Sequence, residues 1–488
     1  WSLIRRSAME SLVLALAGGM CGLVAAYWGV AFLRSIIPAD VPRAREIGID
    51  PLVIGFTALT AIGAGVVFGV VPALRAMRTR LSAVLQEESR GASGDLRSRR
   101  LLDGLVAAEV CLALVLFVGA GLMVRSFLRI TAVDPGFRTD DVLSVSFSLP
   151  RSVYDNHRMM NFFNELLPDL AAVPGVRAVG ATSALPMSAV GNDFDLPFQI
   201  EGQDEVPQAE RPRSQYRSVT PGYFQALGIP LLRGRLIEQS DWAENVPVMV
   251  INETMARLWF PGEDPLGKFL GVPMAGRIEI VGIVGDVRHA SLQSEVQPEM
   301  YVSYQQFAIS DMTVAVYSDA GPASLAGIVR DRIRRLDPAL PLTQTATMDE
   351  LISESLAQPR FNMILLVGLA SSALLLAAVG IYGVVSYSVV QRSGEIGVRM
   401  ALGADASATR TLVIREAMTV AAIGVAVGLA ATFAVARFIA GLLYGVGAND
   451  PLTLVVGATA LIGIAAFAAA LPAARATRID PAAALRKE

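Results

Sequence analysis

"DPLTLVVGATALIGIAAFAAALPAARATR", Asp450 to Arg478, opens on an acid, closes on arginines and carries no charge from Leu452 to Ala473. A bilayer core of about 30 Å is crossed by about 20 apolar residues in a helix, so this stretch reads as a membrane span. It has an earlier counterpart, "DPLVIGFTALTAIGAGVVFGVVPALRAMR", Asp50 to Arg78. Residues 50–88 align on 450–488 without a gap, with 14 of 39 positions identical. Pro72-Ala73-x-Arg75-Ala76-x-Arg78 matches Pro472-Ala473-x-Arg475-Ala476-x-Arg478, and Arg6-x-Ala8-Met9 in the preceding span matches Arg415-x-Ala417-Met418. Alanine richness inflates such scores, but Pro and Arg at fixed spacing point to duplication. The chain then reads as the last two spans of one unit followed by a complete second unit. By that reading the front half of the first unit lies upstream of Trp1.

Composition agrees with a membrane protein. Of 488 residues 53% are hydrophobic and 17% charged, where a soluble domain is about 25% charged. Mean hydropathy is +0.50. Six stretches have the length of a span: 10–37, 51–74, 103–128, 361–389, 412–443 and 452–473. A net charge of −3 argues against a nucleic-acid partner. Cys21 and Cys111 fall inside spans as apolar packing residues, and no disulfide framework, metal set or cofactor motif is evident. His157 and His289 are the only histidines, and both read as surface residues.

Orientation follows from arginine. The connections after the second, fourth and sixth spans hold Arg75, Arg78, Arg80, Arg90, Arg97, Arg99 and Arg100, then Arg392, Arg399 and Arg410, then Arg475, Arg478, Arg486 and Lys487. The opposite connections hold Arg43 and Arg45 only. By the positive-inside rule the basic segments and the C-terminus are cytoplasmic, and the polar stretch 129–358 is extracytoplasmic. The fold class expected is a polytopic α-helical protein with six spans and an inserted α+β extracytoplasmic domain. "LSVSFSL", Leu143 to Leu149, alternates as a half-buried strand does. Met159, Phe163, Leu166, Leu167 and Leu170 follow at helical spacing and "VRAVGATS" reads as the next strand, a β-α-β start. "VPVMVIN", "RIEIVGIVGDV", "MYVSY" and "MTVAVYS" read as strands, 322–336 and 348–357 as helices, in two small α+β lobes. Only Pro359 separates the last helix from the fourth span.

Between the fourth and fifth spans lies "RSGEIGVRMALGA", Arg392 to Ala404, too short and too charged to cross a bilayer. Glu395 and Arg399 stand i,i+4, a spacing that supports a helix, and Gly403 suits its C-terminal stop. Physics alone leaves two readings open, a helix lying on the membrane surface or one that docks a cytoplasmic partner.

"GEIGVRMALGA" resembles the signature of the FtsX-like permease family, which includes MacB-type exporters. "DPGF" (Asp134 to Phe137), "PGYFQALGIPLLRGR" (Pro221 to Arg235), "FPGEDPLGK" (Phe260 to Lys268) and "VGDVRH" (Val284 to His289) resemble the MacB periplasmic core domain. The tandem arrangement is similar to duplicated permeases of acidobacteria, which need no adjacent ATPase gene. The resemblance implies five segments: 1–88, the end of a first unit; 89–102, a cytoplasmic linker; 103–128, the first span of the second unit; 129–358, the core domain; and 359–488, the permease domain with three spans. It implies that Gly394, Glu395, Ile396, Gly397, Val398, Arg399, Met400, Ala401, Leu402 and Gly403 form a coupling helix for a cytoplasmic ABC ATPase. The other implied partners are the lipid of the inner membrane and an extracytoplasmic protein.

No enzyme site is evident. "GEDPLGKF", Gly262 to Phe269, approaches a P-loop but has Phe269 where a hydroxyl must meet Mg²⁺. Ser183, Ser188 and Ser218 sit in no nucleophile pattern. Glu109 lies inside the third span, where a carboxylate is a functional candidate by default, and pairing with Arg99 and Arg100 is the expectation. Arg34, Arg125 and Arg437 read as snorkelling residues at outer span ends. Gly18-x-x-x-Gly22, Gly65-x-x-x-Gly69 and Gly424-x-x-x-Gly428 allow close helix contact. The function expected is a permease that passes motion between an ATPase and the outer domain in order to export or extract a substrate. The alternative is an extracytoplasmic scaffold that regulates an envelope hydrolase.

Overall fold

A computed structural model describes residues 2–36, 48, 50–63, 93–188, 190–191, 194–241, 246–273, 275–392, 405–447 and 449–476. The chain divides into two compact units, Trp1–Phe127 with Ala357–Glu488, and Leu128–Leu356. The first begins with α1 (Ser2–Ile36), α2 (Pro51–Gly63) and α3 (Ser93–Thr131). Asp50 starts α2 by accepting the Val53 amide at 2.8 Å, and Pro51 occupies the first helical turn, where no amide hydrogen is needed. α1 meets α2 at Gly19, where an added Cβ would lie 3.2 Å from the Ala61 Cβ. Gly18 and Gly22 face open space, so the expected glycine pair is displaced by one residue. Gly65 and Gly69 lie outside the described residues.

The second unit supplies β1 (Val142–Ser148), α4 (Asn156–Ala171) and β2 (Val176–Thr182), the expected β-α-β start. Next come β3 (Phe194–Pro197), β4 (Gln199–Ile200), β5 (Arg213–Val219), α5 (Tyr223–Ala226), β6 (Leu231–Gly234), β7 (Val248–Asn252) and α6 (Glu253–Trp259). The unit closes with β8 (Phe269–Val272), β9 (Gly276–Val284), β10 (Glu299–Ser303), β11 (Asp311–Ser318), α7 (Pro322–Leu336), β12 (Leu342–Thr347) and α8 (Met348–Ser355). The sheet runs β12-β1-β11-β2-β5-β10-β7-β9-β8-β4, with β3 added on β5 and β6 on β9.

Two lobes are present within this one sheet. Phe147, Phe163, Leu166, Val314, Val329 and Ile333 form one core, under α4 and α7. Tyr216, Met249, Ile251, Met255, Ile278 and Ile280 form the other. β2 and β5 join the two halves through a single pair, Thr182 with Val219. The two lobes expected from the sequence thus share one sheet. Nor is β1 half-buried: its Ser144 and Ser146 are buried as well. They are tolerated because each hydroxyl is hydrogen-bonded, Ser144 donating to the Ala346 carbonyl at 2.7 Å and Ser146 paired with Thr313 at 2.9 Å.

The chain returns to the first unit with α9 (Ala357–Gln391), α10 (Ala406–Ile439) and α11 (Pro451–Ala476). Pro359 lies in the first turn of α9 rather than ahead of it. Among the described residues five helices are long and apolar enough to cross a membrane: α1, α3, α9, α10 and α11. The expected sixth span, 51–74, is described only over α2, and the rest lies outside the described residues. α3 is the central helix, with 44% of its apolar window buried against 17–28% for α9, α10 and α11.

Buried residues on all four helices recur every fourth position: Val106, Val110, Leu114, Val118 and Leu122; Ala377, Ile381, Val385 and Val389; Ala417, Ala421 and Val425; Leu461, Ala465 and Ala469. Such i±4 rows are the ridges by which helices interdigitate. A step of four residues overshoots one 3.6-residue turn by about 40°, so the row winds around α3 and meets a different neighbour at each level. Gly424 of α10 lies against Ala107 and Val110, and Gly428 against Cys111 and Leu114. Gly457 of α11 lies against Leu114, Phe117 and Val118. The third expected glycine pair is thus a contact between helices.

A Cβ at Gly424 would stand 2.7 Å from the Ala107 carbonyl oxygen, whereas one at Gly383 meets nothing within 4 Å. Gly424→Leu should lower stability by about 1–3 kcal/mol, the usual cost of overpacking, and Gly383→Leu should be close to neutral. Thermal melts of the two purified variants in detergent, each compared with the parent, test this.

Candidate functional site

The segment expected to couple to a partner, Gly394 to Gly403, lies outside the described residues, as do Arg478, Arg486 and Lys487. What is described is the pair of helix ends that hold the segment. α9 ends at Gln391, and Asp405 begins α10, its backbone carbonyl accepting the Ala408 amide at 3.1 Å. A tie crosses between these ends: Arg392 Nη1 reaches Glu416 Oε1 at 2.9 Å. At the end of α11, Arg475 donates to the Tyr382 hydroxyl of α9 at 2.7 Å. Both arginines belong to the basic connections read from the sequence, and their partners, Glu416 and Tyr382, were not singled out there.

Below the Arg392–Glu416 tie is a cavity of about 450 Å³ between α3, α9 and α10. Val106, Ile381, Val385 and Val420 form much of its wall, and Asp103 joins Arg392 and Glu416 at its polar end. Glu109 is placed differently from expectation. Its carboxylate fills the space that a side chain at Gly380 of α9 would take, and it forms no ion pair among the described residues. Arg100 stands nine positions away along α3, about 13 Å at 1.5 Å per residue.

The opposite end of the bundle is tied by Arg125 of α3, which pairs with Asp450. Asp450 also caps α11, accepting the Thr453 amide at 2.9 Å and the Thr453 hydroxyl at 2.6 Å. The Thr453 hydrogen bonds, with Arg125 beside them, hold the Asp450 carboxyl below its usual range. Asp450-Pro451-Leu452 and Asp50-Pro51-Leu52 therefore use the aspartate in the same way, each starting a helix. The Ser126 hydroxyl accepts the Tyr444 amide at 2.8 Å, a second link between α3 and the connection that precedes α11. Arg125 is thus a tie between helices and not a snorkelling residue.

In the second unit the sequence missed a buried ionic cluster near the junction of the lobes. Arg217 on β5 and Glu299 on β10 are each 1% exposed, with Arg217 Nη2 at 3.4 Å from Glu299 Oε1. His289 Nε2 lies 3.2 Å from Glu299 Oε2, and the Tyr301 hydroxyl donates to the same oxygen. His289 is therefore packed against a carboxylate and is not a surface residue, while His157 is exposed. Charge was legible in each residue singly, but only the parallel pairing of Gln215 with Glu299 and Arg217 with Tyr301 brings them together. Burial alone would raise the Glu299 carboxyl, but His289, Arg217 and Tyr301 outweigh it and hold the group below its usual range.

Other sequence features take structural roles. Lys268 pairs with Glu263 and leads into β8, whereas a phosphate-cradling loop opens onto a helix N-terminus. Ser183 accepts the Ser218 amide at 3.1 Å, and Ser218 donates to the Phe307 carbonyl at 2.9 Å. Among the described residues no group of three or more His, Cys, Asp or Glu is placed to hold a metal ion.

Two predictions follow from these ties. Because Glu299 titrates lower folded than unfolded, its contribution is present above the unfolded value of about 4.3 and is lost as pH falls through the folded value. Glu299→Gln should cost about 3–5 kcal/mol at pH 7 by stranding a buried cation, with a smaller penalty at pH 3, read from denaturant melts at both pH values. At the other tie, Asp450→Asn keeps a capping oxygen while Asp450→Ala removes it. The alanine variant should be the less stable by about 1 kcal/mol, measured by thermal melting in detergent.

The FtsX-like permease C-terminal domain matches residues 367–481, and the MacB-like periplasmic core domain matches residues 110–334. The macrolide export ATP-binding/permease protein MacB of Marinobacter nauticus is 28% identical over 274 residues, covering 53% of this chain and 41% of that protein. The ABC transporter permease YvrN of Bacillus subtilis is 25% identical over 342 residues, covering 65% of this chain and 81% of that one. The crystal structure of the periplasmic region of MacB from Actinobacillus actinomycetemcomitans is similar at 16% identity and a TM-score of 0.31, covering 44% of this chain and 92% of that one. The chain spans about half or less of the length of the MacB relatives it matches. In order along one chain, then, this protein carries a MacB-like periplasmic core domain and an FtsX-like permease C-terminal domain.

Proposed function

We propose that this chain is the membrane permease component of an ABC-type system and that it transmits motion instead of lining a hydrophilic channel. The observation that carries this reading is the permease-domain match over 367–481, which takes in α10, α11, most of α9 and the connection 393–404. In this reading an ATPase supplied by another chain or segment docks on Gly394 to Gly403. Residues 129–358 are extracytoplasmic, the C-terminus is cytoplasmic, and the membrane is the inner one.

The geometry of the described helices suits such a role. Nucleotide-driven closure at 394–403 would pull on α9 and α10 together, because the Arg392–Glu416 tie joins the end of α9 to the third turn of α10. α3 is one unbroken helix of 39 residues, about 58 Å at 1.5 Å per residue, so it can tilt as a rod together with the helices its rows interlock with. α3 runs to Thr131 and α9 begins at Ala357, so both helices extend to the boundaries of residues 128–356. Export, or extraction of a lipophilic substrate from the outer leaflet, would follow.

The test is reconstitution of the full chain with candidate ABC ATPases and measurement of ATP hydrolysis. Glu395→Ala and Arg399→Ala should each cut permease-stimulated hydrolysis by about tenfold, corresponding to about 1.4 kcal/mol of lost docking. If no ATPase is stimulated and neither variant changes anything, the coupling reading fails. A hydrolase crosslinked to residues 129–358 in whole cells, with no ATPase partner, would favour the scaffold reading instead.

A further inference from the structure

We propose that the cavity between α3, α9 and α10 holds one zwitterionic phospholipid, with an ammonium–phosphate headgroup at Asp103, Arg392 and Glu416 and one acyl chain along Val106, Ile381 and Val420. This goes beyond the coupling role and does not depend on an ATPase being used.

Depth is the first argument. From Arg392 down to Ile381 the wall extends eleven residues along α9, about 16 Å at 1.5 Å per residue. That is half of a bilayer core of about 30 Å. The cavity therefore runs from a polar end to roughly the midplane, the extent of a single leaflet. Its volume of about 450 Å³ lies within the range of pockets that enclose small ligands. The lining matches that direction, with charged groups at the helix ends and aliphatic side chains deeper in the spans.

Charge is the second argument. The polar end holds two carboxylates and one guanidinium. Arg392 is paired with Glu416 at 2.9 Å, and Asp103 forms no ion pair among the described residues. The Asp103 carboxylate favours an ammonium group, which can donate hydrogen bonds to it. The Arg392 fork is suited to a phosphate oxygen pair. An ammonium and a phosphate two carbons apart satisfy both, as in an aminophospholipid. An anionic lipid without an amine would engage Arg392 but leave Asp103 facing like charge.

The experiment is native mass spectrometry of the full chain, titrated with phosphatidylethanolamine, phosphatidylcholine and phosphatidylglycerol of matched acyl chains. Phosphatidylethanolamine should bind about tenfold more tightly than phosphatidylglycerol, the scale of one hydrogen bond to a charged group. Phosphatidylcholine, whose quaternary ammonium has no N–H donors, should fall between. Asp103→Asn should bring the three lipids to within about twofold, and Asp103→Glu should preserve the order. Val420→Trp, which fills the apolar wall, should weaken all three together. Soluble phosphoethanolamine, lacking chains, should fail to compete. Each variant is read only if its melting temperature in detergent matches the parent, and the Val420→Trp and phosphoethanolamine arms stand if Asp103→Asn does not fold. Equal binding of the three lipids by the parent chain, an unchanged order in Asp103→Asn, unchanged binding in Val420→Trp, or competition by phosphoethanolamine would each overturn the proposal.

Discussion

Lipid gives one apolar helix no reason to leave it for another, because acyl chains are as apolar as leucine. Association within the membrane unit therefore rests on close approach, and close approach rests on what is missing from α10 and α11: side chains at Gly424, Gly428 and Gly457. With those positions empty, the row Val106 to Leu122 on α3 reaches backbone as well as side chain. The many small contacts this allows are individually weak and collectively large. The rows then force a specific arrangement, since a fourth-residue ridge that winds about α3 cannot slide without unseating every level.

Polar ties complete the arrangement at both ends of the bundle. Arg125 with Asp450 joins α3 to the start of α11, and Arg392 with Glu416 joins α9 to α10. Neither pair crosses the apolar middle, where a charge is costly. Asp450 does two things at once, since its cap on Thr453 would be useful even without Arg125. Asp50 caps α2 in the same way, which gives the shared Asp-Pro-Leu a physical reason: proline needs no amide partner in the first turn, and the aspartate accepts an amide further on.

The second unit solves a different problem. Its sheet passes from one core to the other through a single residue pair, Thr182 with Val219, and the ionic cluster of Arg217, Glu299 and His289 sits close by. Burying these charges is costly unless they are paired, so the cluster adds directional constraint where the ladder itself is thin. Short strands such as β3, β4 and β6 escaped sequence reading because two to four residues cannot display a period. β5 escaped because "RSQYRSV" has almost no apolar alternation, yet neighbours on both sides bury it.

What the sequence by itself determined is the part that depends on local composition and spacing. Length and apolarity mark the spans, arginine bias orders the connections, fixed Pro and Arg spacing exposes the duplication, and strand alternation places most of the long strands. Tertiary structure alone decided which residues meet. Glu109 turned to Gly380 and not to the arginines along its own helix, Arg125 found Asp450, and His289 was drawn against Glu299. The first two of these pairs join positions far apart in the chain and the third is made across a loop, and one-dimensional patterning reports which face a residue occupies without saying which other face will be opposite it.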